Sequence, residues 1–520
     1  MRTTLVSLLF ALCCLPLMAQ QHNQQQIQKL NYVFNYLRNN YVEDVDLEPL
    51  VDSAIEATLN QLDPHSSYIS REEMLQMLSS MDGEFMGIGI NFTTLRDTVV
   101  ITHVMDASPA KERRLKKNDR IVAVDGRSIV GCSRDTIQSL LRGQRGSMVS
   151  LTIARRAQDG YSELQLKRDD IPTNSIGAAY MIGDIAYIDV NSFLGRDVTA
   201  EFKDVARQFG SVKGMIIDLR GNMGGLLTSA VQFSELFLRR GDRIVSTVGR
   251  RQNDVYEASR DDLFSDIPLV ILVDEATASA SEIVTGALQD HDRAVIVGRR
   301  TYGKGLVQRV IKLFDDTGIR LTIAHYITPS GRDIQRPYSM GDKEGYNEDR
   351  ERYNHPDSID YGALPQYTTL RNHRTVYGGG GITPDVYVPA TQSPSSPFIR
   401  TLIAENVVTE VVVEYFDRNS IDEFMAHYPT LQDYVDGFVL DDDIIEYMVC
   451  AVCRHNNDAE EDEEGIAEAV RIVIAQIAED VYGAGAYHFV YGRYADAALA
   501  EAVSIIEDVG KMNKLLGIEG

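Results

Sequence analysis

The chain has 520 residues, 44% hydrophobic and 24% charged, with 15 prolines beside 39 glycines. This composition excludes a disordered or collagen-like chain and leaves room for about two to four domains. The formal charge is −25, from 51 Lys and Arg against 76 Asp and Glu, so the surface repels phosphate and nucleic acid is excluded as a partner. The charge is uneven: from Thr401 to Gly520 there are 26 acidic and 6 basic residues.

Arg2 precedes an apolar run from Leu5 to Ala19, which ends at a small residue before a Gln-rich stretch. This pattern predicts a secretory signal peptide over 1–19, cleaved near Ala19. The run is shorter than the roughly 20 residues of a membrane span. Cys13 and Cys14 lack the small preceding residues of a lipoprotein signal, because Phe10, Ala11 and Leu12 stand there. The mature chain then keeps Cys132, Cys450 and Cys453. The last two lie in an apolar helical run, Ile444 to Val452, and read as buried helix cysteines rather than a redox pair or half a metal site.

A helical segment follows over 20–83, with Ile27, Leu30, Val33, Phe34, Leu37, Leu50, Ile55, Leu59 and Leu62 at helical spacing. A turn at Asp63-Pro64-His65 interrupts it. Four β-like runs between Met86 and Arg156, with a helical stretch Thr136 to Leu141 before the last, predict a small mixed module over 84–168. From 169 to 396 strands alternate with helices. The strands are AYIDV, GMIIDL, LVILV at 269–273 and AVIVG at 294–298, which predicts a layered α/β sheet. Within this region 336–374 is polar and aperiodic and reads as a long loop or insertion. The acidic residues 397–520 return to helical spacing.

Asp274 to Glu282 joins a hydrophobic strand to a helix through six consecutive residues no larger than threonine. A serine in such a turn sits beside N–H groups that the helix leaves unpaired, where an oxyanion would be held. An ordinary helix cap by Ser279 or Ser281 is the plainer reading of this segment alone. A serine needs a base. His291 lies about three turns away on the same helix and cannot reach it. Lys304, between Gly303 and Gly305 after a strand, serves if burial leaves it neutral; a lone lysine is otherwise a surface charge. Arg220 to Gly225 holds three glycines that permit close backbone approach and a second oxyanion donor, or simply a turn.

Taken together, the segments resemble the C-terminal processing peptidases, or tail-specific proteases, which are exported serine proteases with a Ser-Lys dyad and an embedded PDZ domain. The resemblance rests on Leu62-Asp63-Pro64-His65-Ser66 with Tyr68, on Gly87-Ile88-Gly89-Ile90, and on Ser108-Pro109-Ala110 and Asp119-Arg120-Ile121. It continues through Asp218-Leu219-Arg220-Gly221-Asn222 with Gly224-Gly225, Ala278-Ser279-Ala280-Ser281-Glu282, and Thr301-Tyr302-Gly303-Lys304-Gly305 with Gln308. Thr328-Pro329-Ser330-Gly331-Arg332 and Ile382-Thr383-Pro384-Asp385-Val386 complete it.

The resemblance implies an α/β multidomain protein: an N-terminal helical segment, a PDZ domain, a crotonase-like or ClpP-like peptidase core, and an acidic helical extension foreign to the minimal family pattern. It implies that Ser279 is the nucleophile, Lys304 the base 25 residues later, and Gln308 the residue that orients the lysine. Ala280 and one of Gly224 or Gly225 donate the oxyanion-hole N–H groups. Gly87, Ile88, Gly89 and Ile90 receive the carboxylate of an unstructured, apolar C-terminal tail. No metal or cofactor is required. An adaptor or activator protein is a further implied partner, homo-oligomerisation stays open, and the place of action is the periplasm, with membrane association open. The rival reading is an adaptor that binds tails with its protease fold silent or partner-activated. The joint presence of Ser279, Lys304 and Gln308 argues for catalysis. The insertion 336–374 departs from the family pattern, as a shield of the active site or a partner contact. The acidic extension reads as a solvated packing domain in preference to a dimerisation or docking surface.

Overall fold

The computed structural model describes residues 24–518 apart from 82–83, 96, 106–107, 156–159, 173–174, 195–196, 261–262, 265, 355–359, 391–395, 457–461 and 484. The expected signal peptide over 1–19 lies outside the described residues. The chain divides into two compact units.

One unit comprises Met1–Ser70, Val310–Leu321 and Tyr338–Tyr346. Its helices span 24–40 and Leu47–Leu59, the second opened by Asp46, whose carboxylate accepts the Glu48 N–H. At the expected turn, buried Asp63 accepts from the N–H groups of His65 and Ser66 and from the Ser66 hydroxyl. A short strand, Ser67–Ile69, then pairs antiparallel with residues 318–320. Part of the insertion belongs here: the Lys343 ammonium donates to Asn60 Oδ1 and to the Ser66 carbonyl.

The larger unit holds the other three regions. Six antiparallel strands, Ile90–Leu95, Thr98–Val104, Arg120–Val124, Arg127–Ser128, Met148–Ala154 and Tyr161–Lys167, form the small β-rich module with helix Arg134–Leu141. Ile101, Ile121, Ile137 and Leu151 lie in its core.

The peptidase-like region is a six-stranded sheet in the order Ile176–Ile182, Ile185–Val190, Gly214–Asp218, Leu269–Val273, Val295–Gly298, Val386–Tyr387. Its first pair is antiparallel and the rest are parallel. Ile188, Ile217, Ile271 and Ile296 face helices Val198–Gln208, Leu227–Ser234 and Ala280–Asp290. Ile216, Val270, Leu272 and Val297 on the other face pack against Leu499, Ala502, Ile505 and Met512. Both faces are therefore dry, which is why these strands read as unbroken apolar runs.

The acidic extension buries apolar side chains in two separate places. Residues from Phe398 to Val490 build a helical core of their own around Leu402, Val411, Met448 and Val473. Helices Ala497–Glu507 and Val509–Leu515 instead cover the sheet. Cys450 corrects the expectation of buried cysteines: helix Asp442–Cys453 buries Ile444, Met448, Ala451 and Val452, which leaves Cys450 exposed and Cys453 half-buried. The insertion corrects the expectation of a loop, since it contains helix Lys343–Asn354 and strand Gln366–Thr368, which pairs with Thr375–Tyr377 just beyond it.

Candidate active site

Strand Leu269–Val273 ends at Asp274, whose carboxylate gathers the loop that follows. It accepts from the N–H groups of Gly221, Ala276 and Thr277, each at 3.0 Å. The chain then enters helix Ala280–Asp290, buried at every residue, through Ser279. Ser279 is half-buried and sits at φ 57°, a backbone strain of the kind that collects at functional sites. Ser281, two residues on, is fully buried and donates its hydroxyl to the Asn222 carbonyl at 3.0 Å. The two serines that the segment leaves equivalent thus have different surroundings: one hydroxyl is committed to packing and the other residue is accessible.

Glu282 organises the rest. Completely buried, it accepts from Ser279 N–H at 2.8 Å, Lys304 N–H at 2.9 Å, Gly303 N–H at 2.7 Å and the Thr301 hydroxyl at 2.6 Å. Ser279 and Lys304 share the same carboxylate oxygen, so their backbones are pinned to one point. Burial pushes this carboxyl up, and the Thr301 hydroxyl and the three N–H groups pull it back. Lys304 is half-buried, and Gln308 lies four residues on in strand Leu306–Lys312, also half-buried.

The glycine loop closes from the other side. A Cβ on Gly224 would lie 2.6 Å from the Ala278 carbonyl, 2.8 Å from the Ala280 nitrogen and 2.9 Å from Ser279 Cβ, at φ 100°. No other residue type fits there. Gly224 N–H donates to Asn222 Oδ1 at 2.9 Å, while among the described hydrogen bonds none uses Gly225 N–H. Ala280, as the first helical residue, also leaves its N–H without an intrahelical partner.

Two further sequence motifs fasten the far end of the same helix. Asp290 is ion-paired to fully buried Arg332 and accepts from Ser330 N–H at 2.9 Å. Asp385 accepts from Ile296 N–H, Gln289 and Arg374. His291 is buried, with Nε2 2.7 Å from the Arg243 carbonyl, away from Ser279 at the helix C-terminus. Glu282 is the functional residue that the sequence reading quoted but gave no role. Its signal, an acidic residue three positions after a cap serine, reads as a capping box and conceals the contacts with 301–304.

In the β-rich module, Gly87–Ile90 lines a groove of about 230 Å³ together with Phe92, Arg134, Gln138 and Leu141. Gly89 adopts φ 79° and its carbonyl accepts Met105 N–H. Among the described residues there is no cluster of His, Cys, Asp and Glu that could hold a metal. No described helix is long and apolar enough to cross a membrane.

Comparison with known proteins matches residues 184–342 to the peptidase family S41, 86–166 to the PDZ domain, and 16–73 to the N-terminal domain of the activating protease CtpB. The carboxy-terminal-processing protease of Bartonella bacilliformis is 38% identical over 324 residues, which cover 61% of this chain and 74% of that protein. The "Probable CtpA-like serine protease" of Staphylococcus aureus is 31% identical over 317 residues, covering 60% and 63%. A solved photosystem II D1 C-terminal processing protease is 27% identical, covering 69% and 86%, at TM-score 0.37.

Proposed function

The chain belongs to the carboxy-terminal-processing protease family and is a serine protease of peptidase family S41 with a PDZ domain, and from that premise we propose that it cleaves proteins near their C-termini with Ser279 as nucleophile. Ser279 attacks the substrate carbonyl while Lys304 takes its proton. The amine leaves with that proton, and water hydrolyses the acyl-enzyme by the reverse transfer. Gln308 orients the lysine. The N–H groups of Ala280 and Gly225 hold the oxyanion; Gly225 is preferred over Gly224 because the latter's N–H is taken by Asn222.

The observation that carries this reading is the Glu282 staple, which binds the backbones of Ser279 and Lys304 through a single carboxylate oxygen. Productive geometry of this kind must be held to a fraction of an ångström. The Gly87–Ile90 groove takes the substrate's apolar tail as an added strand, its carboxylate in the loop N–H groups. Action outside the cytoplasm is supported by Arg2 and the apolar run Leu5–Ala19, which have the pattern of a secretory signal.

The test is cleavage of an unstructured protein with an apolar C-terminus. Ser279→Ala and Lys304→Ala should each lose at least about 1,000-fold in kcat. Lys304→Arg should lose as much, because guanidinium does not deprotonate. Full turnover by either lysine variant would remove the mechanism. Binding of the tail by a wild-type protein that never cleaves would favour the adaptor.

A further inference from the structure

Arg220, immediately before the glycine loop, is gripped from two sides. Asp218, at the end of its own strand, accepts from Nε at 3.0 Å and from Nη2 at 2.6 Å. Asp496, 276 positions along the chain, accepts from Nη1 at 3.1 Å and from Nη2 at 2.7 Å, a two-pronged pair. The side chains of Asp218, Asp496 and Arg220 are 5%, 17% and 22% exposed. Burial alone would make the guanidinium easier to deprotonate, and the two carboxylates outweigh it and push its pKa up. Tyr187 donates to Asp218 from within the sheet at 2.7 Å.

Asp496 belongs to the acidic extension, at the junction of helices Ala486–Ala495 and Ala497–Glu507. The loop it reaches carries Gly221, Gly224 and Gly225, which have no side chains to fix their own path. That path is set by hydrogen bonds of Gly221 with Asp274, of Asn222 with Val190, Ala278, Ser281 and Gly224, and of Gly224 and Leu226 with Phe193, and by Arg220 at its entrance. We propose that Asp496 is a positioning residue for proteolysis: through Arg220 the acidic extension holds the glycine loop at the distance from Ser279 that oxyanion binding requires. The inference rests on the reading above that this loop serves the oxyanion. It gives the extension a part in turnover that a solvated packing domain would not have.

Asp496 also caps helix Ala497–Glu507 by accepting the Leu499 N–H at 3.0 Å, so the test must separate a clamp from a cap. Asp496→Asn keeps a good capping side chain and removes the charge. With a short, C-terminally amidated fluorogenic peptide, Asp496→Asn should lower kcat by roughly 10- to 100-fold, with KM and the thermal midpoint close to wild type. Asp496→Glu should recover part of the loss. Arg220→Lys should lose a similar factor, and Arg220→Lys combined with Asp496→Asn should lose little more than either alone. An unchanged kcat in Asp496→Asn, a loss matched by loss of folded protein, or fully multiplicative losses in the double variant would overturn the inference. Retained turnover in Ser279→Ala would instead overturn the reading of the site itself, so the two failures are distinguishable.

Discussion

Two sheets of the larger unit, the peptidase sheet and the PDZ sheet, are built to opposite specifications. In the peptidase sheet, strands Gly214–Asp218, Leu269–Val273 and Val295–Gly298 are buried at every residue. In the PDZ sheet, Met148–Ala154 alternates outward and inward along its length. The first arrangement fixes the ends of parallel strands between two helical layers, and those ends carry Arg220, Asp274 and the approach to Lys304. The second leaves a flank open beside helix Arg134–Leu141, where a tail can lie. The proposed catalytic residues thus sit at strand ends packed on both faces, and the proposed tail groove lies beside a strand at the edge of its sheet.

The sharpest way to break the rigid side is Gly224→Ala. Its Cβ would enter the space of the Ala278 carbonyl and the Ala280 nitrogen, and kcat should fall about 100- to 1,000-fold, the cost of displacing the Ala280 N–H from the oxyanion. Next, Ile271→Ala in the doubly covered strand should cost about 2–5 kcal/mol in a denaturant titration. Met148→Ala on the outer face of the PDZ sheet, where the side chain is 51% exposed, should stay within about 0.5 kcal/mol. Equal costs would erase the contrast. On the selecting side, Gly89→Ala combines a left-handed backbone with a Cβ 2.2 Å from Ser108 Cβ. Tail affinity measured by fluorescence anisotropy should weaken roughly 10-fold, about 1.4 kcal/mol.

The smallest effect is a pH dependence. Burial, and then the charge of Asp218, push the Asp189 carboxyl up to about 7, while Ala178 N–H and Arg220 pull it down. Between the unfolded value of 3.8 and about 7 the folded protein holds a proton that the unfolded chain has released. Stability on this account falls as pH rises through that window and is level above it. Asp189→Asn should flatten the slope in thermal midpoints measured from pH 4 to 8.

Much of the architecture was legible because it depends on local pattern: unbroken apolar runs gave the buried strands, and glycines beside strand ends gave the loops. The residues alone left Ser279 and Ser281 level, since what separates them is a hydrogen bond from Ser281 to Asn222, 59 positions away. Glu282 was hidden for the same reason. Helix Lys343–Asn354 escaped notice because its sequence, KEGYNEDRERYN, has almost no apolar residues to reveal a period. Strand Ser67–Ile69 is too short for alternation to register. Charge groups the last helices with the acidic extension, whereas their packing on the sheet follows Leu499, Ala502 and Ile505.

That late covering layer has a bearing on biosynthesis. Residues 497–516 cover the sheet's second face and follow every other strand and helix of the core in chain order. Without that layer Ile216, Val270, Leu272 and Val297 would face water on one side of the sheet. A chain stopped after Ala495 should accumulate as an inactive, aggregation-prone product, recovered in the insoluble fraction.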